Sequence, residues 1–294
     1  MGAKDIAEKH LEELNDVFAD IVNVLLFNGE QVVKENDLEA DTVKTMIKSD
    51  GKLHEQERDV SKFWKNGKIR LSIFGLENQT DQDTAMPLRV ISYDGASYKQ
   101  QYQDKKTTKK YPVVTLVLYF GTDHMWSTNK TLYDCFENVP EKLMPFVNNY
   151  KINVFNLAWL SEKQINMFRS DFKCIVEFLR TQRLKIRYEG SREKLQHANE
   201  TLKLFSALMG DDSFEKVYNE TNPNIGGATM CNVVEEIRNE GRVEGRSEGR
   251  TEQAIEAAIN LLKMNVLTPE QIAQAQGLPL EKVLELQKSL LVHA

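Results

Sequence analysis

Cysteine, clustered histidine, long apolar runs and an excess of positive charge are what this 294-residue chain has little of. Its three cysteines, Cys135, Cys174 and Cys231, are far apart and odd in number. That excludes a disulfide framework and fits a reducing compartment. The five histidines, at positions 10, 54, 124, 197 and 293, share no close spacing, so a zinc site is not expected. No apolar stretch approaches the roughly 20 residues that a bilayer-spanning helix needs. The segment Met1-Gly2-Ala3-Lys4-Asp5 has acidic neighbours where a secretory leader has a basic region and an apolar core, so the expectation is a cytoplasmic protein without a membrane partner. Ile6 stands where a myristoylation signal carries Ser or Thr. A net charge of −6 gives no global attraction to nucleic acid, so any DNA binding has to rest on local patches. Two are candidates: Lys105, Lys106, Lys109 and Lys110, and Lys62, Lys65, Lys68 and Arg70. Either can equally be a solvated loop or hairpin edge.

What is present is an ordinary globular composition, 41% hydrophobic and 28% charged, long enough for a sizeable core and a smaller appendage. The most informative stretch runs from Asp59 to Gln79. Asn66-Gly67 between two runs rich in Val, Phe, Trp, Ile and Leu is a tight-turn signal, because both residues can take positive φ, and it predicts a β-hairpin. In the second strand Glu77 and Gln79 are two apart and project from one face. A carboxylate from each of two neighbouring strands, Asp59 and Glu77, is what a hard divalent cation such as Mg²⁺ takes. A metal so held polarises a phosphodiester and activates water, which Gln79 can orient. With a two-residue turn, strict pairing sets Asp59 opposite Phe74, about 10 Å short of Glu77 along the strand. A bulge at Gly75 is the expected way to close that gap.

The order Asp, hairpin, Glu-x-Gln resembles the PD-(D/E)xK nuclease superfamily, whose last position is Lys in most branches and Gln in some. The resemblance narrows to the Rpn family of recombination-promoting nucleases, also labelled transposases. It rests on Phe18-Ala19-Asp20 with Asn23, Phe27 to Val32, Glu77-Asn78-Gln79-Thr80, Met86 to Val90, Tyr93-Asp94, Tyr98, Pro112 to Gly121, Trp126 and the Glu-Gly-Arg repeat near the C-terminus. It implies a mixed α/β nuclease core, a Mg²⁺- or Mn²⁺-dependent DNA endonuclease that promotes recombination, Asp59 and Glu77 as metal ligands, and Gln79 in the lysine position. A helix acid supports such a site, with Asp20 the first candidate and Asp16, one turn earlier, the second. Two departures stand out. Residues 102–110 are a short polar run where the family has a longer insertion, and Gln79 lacks the positive charge used near the scissile phosphate, which implies a slow chemical step. The competing expectation keeps the fold as a DNA- or protein-binding module without chemistry. A transposase with a separate acidic triad finds no support in the residues.

Along the chain, residues 4–27 read as one amphipathic helix, Leu88–Tyr93 as a short strand, Pro112–Phe120 as a strand buried on both sides, and Lys151–Leu160 as another strand. Ser161 is the expected N-cap of a helix running to about Arg187. Met125, Trp126 and Trp159 are expected to pack instead of stacking on bases. Residues 1–190 form the expected nuclease-like domain and 191–294 an all-helical region, with Gly226-Gly227 as a break. The repeat Glu240–Glu252 places stripes of Gly, Glu and Arg on one helix, suited to a homo-oligomer formed through the C-terminal helices. The segment 268–286 has the rhythm of a helix-turn-helix, but Glu281, Lys282 and Glu285 suit packing better than base reading.

Overall fold

The computed structural model describes residues 3–40, 45–49, 52–56, 60–76, 83–104, 110–220 and 229–292. Contacts divide the chain into two compact units, Met1–Val233 and Val234–Ala294. The change to an all-helical composition near 190 therefore precedes the divide between compact units.

Two helices, α1 (Ala3–Glu12) and α2 (Asn15–Phe27), open the first unit in place of the single helix expected over 4–27. The break leaves the Glu13 carbonyl outside the helical ladder, and the Lys62 Nζ donates to it at 2.7 Å and to the Asn15 side chain. Among the described residues seven strands follow: β1 (Leu38–Ala40), β2 (Thr45–Ser49), β3 (Lys52–Gln56), β4 (Val60–Trp64), β5 (Ile69–Leu76), β6 (Val113–Tyr119) and β7 (Asn153–Asn156). Five of them form a mixed sheet in the order β1-β4-β5-β6-β7, while β2 and β3 pair as a separate antiparallel hairpin. β1 with β4 and β4 with β5 pair antiparallel, while β5 with β6 and β6 with β7 pair parallel.

The hairpin β4–β5 forms in the expected register, with Val60 opposite Ile73 and Trp64 opposite Ile69. Its turn differs from the expectation. The loop spans Lys65–Lys68, and the left-handed residue is Lys68 (φ 51°), while neither Asn66 nor Gly67 has positive φ. Gly67 is needed for a different reason: a Cβ there would stand 2.1 Å from Cε3 of the Trp64 ring, which folds over the turn. Gly75, the expected bulge, sits in an unbroken ladder, pairing with Leu118 between Phe74–Val117 and Leu76–Tyr119.

The segment expected as a strand at Leu88–Tyr93 is the first half of α3 (Met86–Gln103). Topology decides this. β5 and β6 are parallel neighbours, and parallel strands need a crossover that a helix supplies. The buried residues Met86, Val90, Tyr93, Ser97 and Gln101 recur at helical spacing, and Pro87 lies in the first turn. Met86, Val90 and Tyr93 pack with Val117, Tyr119, Trp126 and Ile152. The Asp94 carboxylate ties α3 to the strands below, accepting from Thr115 Oγ1 at 2.7 Å and from the Tyr150 hydroxyl. β6 is buried along its length, as its continuous apolar run predicts for a central strand.

The strand expected over Lys151–Leu160 is confined to β7, and a 3₁₀ turn follows at Leu157–Trp159. Trp126 is buried, donates Nε1–H to the Thr128 carbonyl at 2.6 Å and meets Tyr119 edge-on, which is packing and not a stacking platform. Ser161 caps the next helix reciprocally with Gln164, as expected. That helix is in two parts, α4 (Glu162–Ile165) and α5 (Phe172–Leu184). The helices α6 (Ala198–Met209) and α7 (Ser213–Glu220) complete the unit, with α1 packed against α6 and β5. Gly226-Gly227 lies outside the described residues.

In the second unit the 35-residue helix α8 (Met230–Met264), which begins just before the divide, is followed by α9 (Pro269–Gln276) and α10 (Leu280–Val292). Thr268 caps α9 with Gln271, and Gly277 (φ 66°) ends it. Ala258 of α8 packs with Ile272, Ala273 and Val283, so the hairpin α9–α10 serves the core of this unit. Glu281, Lys282 and Glu285 are exposed, and Lys282 pairs with Glu285 at 3.3 Å. Gly241, Gly245 and Gly249 lie inside α8, where each costs about 1 kcal/mol against alanine. The four-residue repeat also sets like charges one turn apart, each pair unfavourable by a few tenths of a kcal/mol. Among the described residues no helix is long and apolar enough to cross a membrane.

Candidate active site

The sheet topology sets the start of β4 and the finish of β5 at one end of the sheet, three residues out of step: Val60 pairs with Ile73, and β5 runs on to Leu76. β4 begins at Val60, immediately after Asp59, and β5 ends at Leu76, immediately before Glu77. The strands are antiparallel, so the start of β4 and the end of β5 lie at the same end of the sheet, where β6 and β7 also finish, at Tyr119 and Asn156. Asp59, Glu77 and Gln79 themselves lie outside the described residues. Among the described residues no group of three or more His, Cys, Asp and Glu side chains could hold a metal ion. Any metal centre of that size therefore draws on residues beyond them.

Asp20 is described, and it is 5% exposed. Its Oδ2 accepts the backbone N–H of Arg169 at 2.8 Å and of Ser170 at 2.7 Å. Those two donors lie in the gap between α4 and α5, so the carboxylate holds the break that the sequence pattern does not announce. Its Oδ1 is buried without a hydrogen-bond partner. Asp16, one turn earlier, meets His197 Nε2 at 2.7 Å, tying α2 to the start of α6. Asn23 closes the same side. Its Oδ1 accepts from Val32 N–H (3.1 Å) and Val33 N–H (2.8 Å), and its Nδ2 donates to the Val33 carbonyl (2.8 Å). A hollow of about 320 Å³ opens here, lined by residues that include Asp16, Asp20, Asn23, Arg169 and Ser170. The three side chains expected along one face of α2 thus act as a set of ties to distant loops.

Two acids on α1 are buried that the sequence does not single out. Glu8 and Glu12 are 3% and 0% exposed, in a helix that also buries Ala7 and Leu11 and packs against β5. Each lies about 100° around the helix from the apolar residue it follows, and burying a carboxylate is costly unless it is paired or hydrogen-bonded.

The hairpin's basic patch is smaller than expected. Lys62 and Arg70 are 5% and 3% exposed. The Lys62 ammonium lies over the Phe18 ring, and burial pulls its pKa below the ordinary lysine value, against the raising influence of Glu13 and Asp16. Arg70 donates to the Tyr111 hydroxyl at 3.1 Å. Neither is presented to a phosphate backbone, which leaves Lys65 and Lys68 exposed, the former paired with Glu39 at 3.3 Å. Of the second patch, Lys110 turns its Nζ onto the Gln101 carbonyl, and Lys105, Lys106 and Lys109 lie outside the described residues.

Residues 66–209 match the family described as Putative transposase, YhgA-like. The match opens in the β4–β5 turn and closes at the end of α6, so it contains Glu77 and Gln79 but neither Asp59 nor the two N-terminal helices. No curated protein and no solved structure matches the chain.

Proposed function

We propose that the protein is a metal-dependent DNA endonuclease of the PD-(D/E)xK type, working at the sheet edge where β4 begins and β5 ends. The observation that carries the reading is the pairing of β4 with β5, which sets Val60 at the start of one strand and Leu76 at the finish of its neighbour at one end of the sheet, and the family match supports it. Asp59 and Glu77 are hard oxygen donors of the kind that Mg²⁺ or Mn²⁺ takes, and they would hold the cation. When bound, it supplies charge that stabilises the transition state of phosphodiester hydrolysis and lowers the pKa of a bound water. The Gln79 carboxamide accepts a hydrogen bond from the attacking water and orients it, without the positive charge of a lysine. The helix acid is Asp20, whose Oδ2 also holds the α4–α5 gap, or Asp16 one turn earlier; Glu8 and Glu12, buried in a helix against β5, are further candidates. The DNA cuts feed recombination.

Plasmid nicking with Mg²⁺, Mn²⁺ or EDTA tests this. Wild type should nick only with metal, Asp59→Ala and Glu77→Ala should not, and Gln79→Ala should nick more slowly. Absence of cleavage by folded wild type with either metal rejects the reading. A DNA- or protein-binding module without chemistry is the second reading, and the burial of Lys62 and Arg70 favours its protein-binding form by shrinking the surface available to DNA.

A further inference from the structure

α8 carries a face that the described residues leave open. Between Glu240 and Glu252 three rows run at four-residue spacing: Glu240, Glu244, Glu248 and Glu252; Gly241, Gly245 and Gly249; Arg242, Arg246 and Arg250. At 3.6 residues per turn, the Glu row lies about 100° to one side of the Gly row and the Arg row about 100° to the other. Val243, Ser247 and Thr251 fall opposite the glycines. The rows are exposed except for half-buried Gly249, and a Cβ at any of the three glycines would meet nothing within 4 Å. The close approach that glycine permits is thus unused among the described residues, although helix propensity is lost for it.

We propose that this face pairs with the same face of a second copy, with the two helices parallel. Two-fold symmetry fixes the orientation. In a parallel pair the left flank of one seam meets the right flank of the other, so each Glu row meets the partner copy's Arg row. In an antiparallel pair each row meets its own kind, Glu against Glu and Arg against Arg. Parallel pairing therefore sets opposite charges along both sides of the seam. Rows at i, i+4 pack ridge into groove at a crossing angle of about −50°, and the glycines sit where the backbones come nearest. Each repeat drifts about 40° around the helix, so the contact is a local crossing of about 12 Å and not an extended coiled coil. The pairing uses residues beyond the family match and none of those assigned to cleavage, so it stands or falls apart from the nuclease reading.

Sedimentation of the full-length chain tests it, with a concentration-dependent dimer expected. Gly245→Leu raises helix propensity while blocking the seam and should lose the dimer. The triple change Glu240→Lys, Glu244→Lys, Glu248→Lys should also lose it, and mixing that variant with Arg242→Glu, Arg246→Glu, Arg250→Glu should restore a dimer. Orientation is read from a spin label on Asn260→Cys, with Cys135 and Cys231 changed to serine. Asn260 lies about 22 Å along the helix from Gly245, so paired labels are about 20 Å apart in a parallel crossing and about 40 Å apart in an antiparallel one. A monomer at all concentrations, a dimer that Gly245→Leu leaves intact, or the longer distance overturns the proposal.

Discussion

Replacing Asp20 by alanine separates a structural acid from a catalytic one. Its Oδ2 accepts two backbone N–H groups at 2.8 and 2.7 Å, from Arg169 and Ser170, and the residue is 5% exposed. A hydrogen bond to a charged acceptor contributes about 1.5–3 kcal/mol, and a buried donor left unmatched costs its desolvation. The Arg169 contact is only partly buried, so water can replace part of the loss there. The expected destabilisation of Asp20→Ala is therefore about 3–4 kcal/mol, a large share of the 5–15 kcal/mol typical of a domain. Asp20→Asn keeps an acceptor oxygen of the same shape and should lose about half as much. Urea denaturation followed by circular dichroism gives both values, and an unchanged slope shows that the shift is in stability. At low temperature, where the variant stays folded, lost cleavage marks Asp20 as the helix acid, and persistent cleavage passes that role to Asp16, Glu8 or Glu12. Asp20→Ala within about 1 kcal/mol of wild type would refute the reasoning.

Two further perturbations follow. Gly67→Ala places a methyl 2.1 Å from the Trp64 ring and should cost about 1–3 kcal/mol by overpacking; the same change in a Trp64→Leu background should cost clearly less, and equal costs in the two backgrounds would discard the steric account. Burial pushes the Cys174 thiol from 9.0 up to about 12, so above pH 9 the unfolded chain releases a proton that the folded chain keeps. Stability should then fall between pH 9 and about 12 by up to about 1.4 kcal/mol per pH unit. The buried Tyr188 hydroxyl, also pushed up by burial, steepens the loss above pH 10.0. Alkaline denaturation of Cys174→Ala, which should show a shallower slope from pH 9, checks the first part, and native Cys174 should resist thiol reagents at neutral pH.

Much of the first unit was legible because its signals are local. The apolar run at Pro112–Phe120, the Ser161–Gln164 cap and the hairpin register each depend on residues within a few positions of one another. Leu88–Tyr93 misled for a physical reason: six residues that alternate weakly fit either period, and what decides is the parallel pairing of β5 with β6, a contact between segments some 43 residues apart in register. The hairpin turn shows the reverse case. The register came from counting, yet the role of Gly67 came from the Trp64 ring, and an Asn-Gly pair looks the same whether it supplies positive φ or merely makes room. The breaks at residues 13–14 and 166–171 are likewise set by distant partners, Lys62 for the first and Asp20 for the second.

The same distinction governs the acids. The pairing of Glu77 with Gln79 rests on the expectation of a strand, which fixes which residues share a face within three positions; β5 is described to Leu76 and both residues lie outside the described ones. A helix acid offers no such local test. Asp20 lies 149 and 150 residues from the amides it holds, so neither spacing nor composition could reveal that its Oδ2 is engaged while its Oδ1 is left without a hydrogen-bond partner. Glu8 and Glu12 carry no better local signal, since each lies about 100° around the helix from the apolar residue it follows, Ala7 or Leu11, and its burial comes from the packing of α1. An acid on the polar arc of such a helix is solvated without cost, whereas one inside the apolar arc has to be accounted for by a partner or by chemistry. Applied to the N-terminal helices, that criterion flags buried acids on both, Glu8 and Glu12 on α1 and Asp20 on α2. It also says where the site variants should be made, because Glu8→Gln and Glu12→Gln keep shape and burial while removing the charge. If either acid supports the sheet edge, its amide should lower metal-dependent cleavage without lowering the urea midpoint, and a fall in the midpoint alone would make both acids structural.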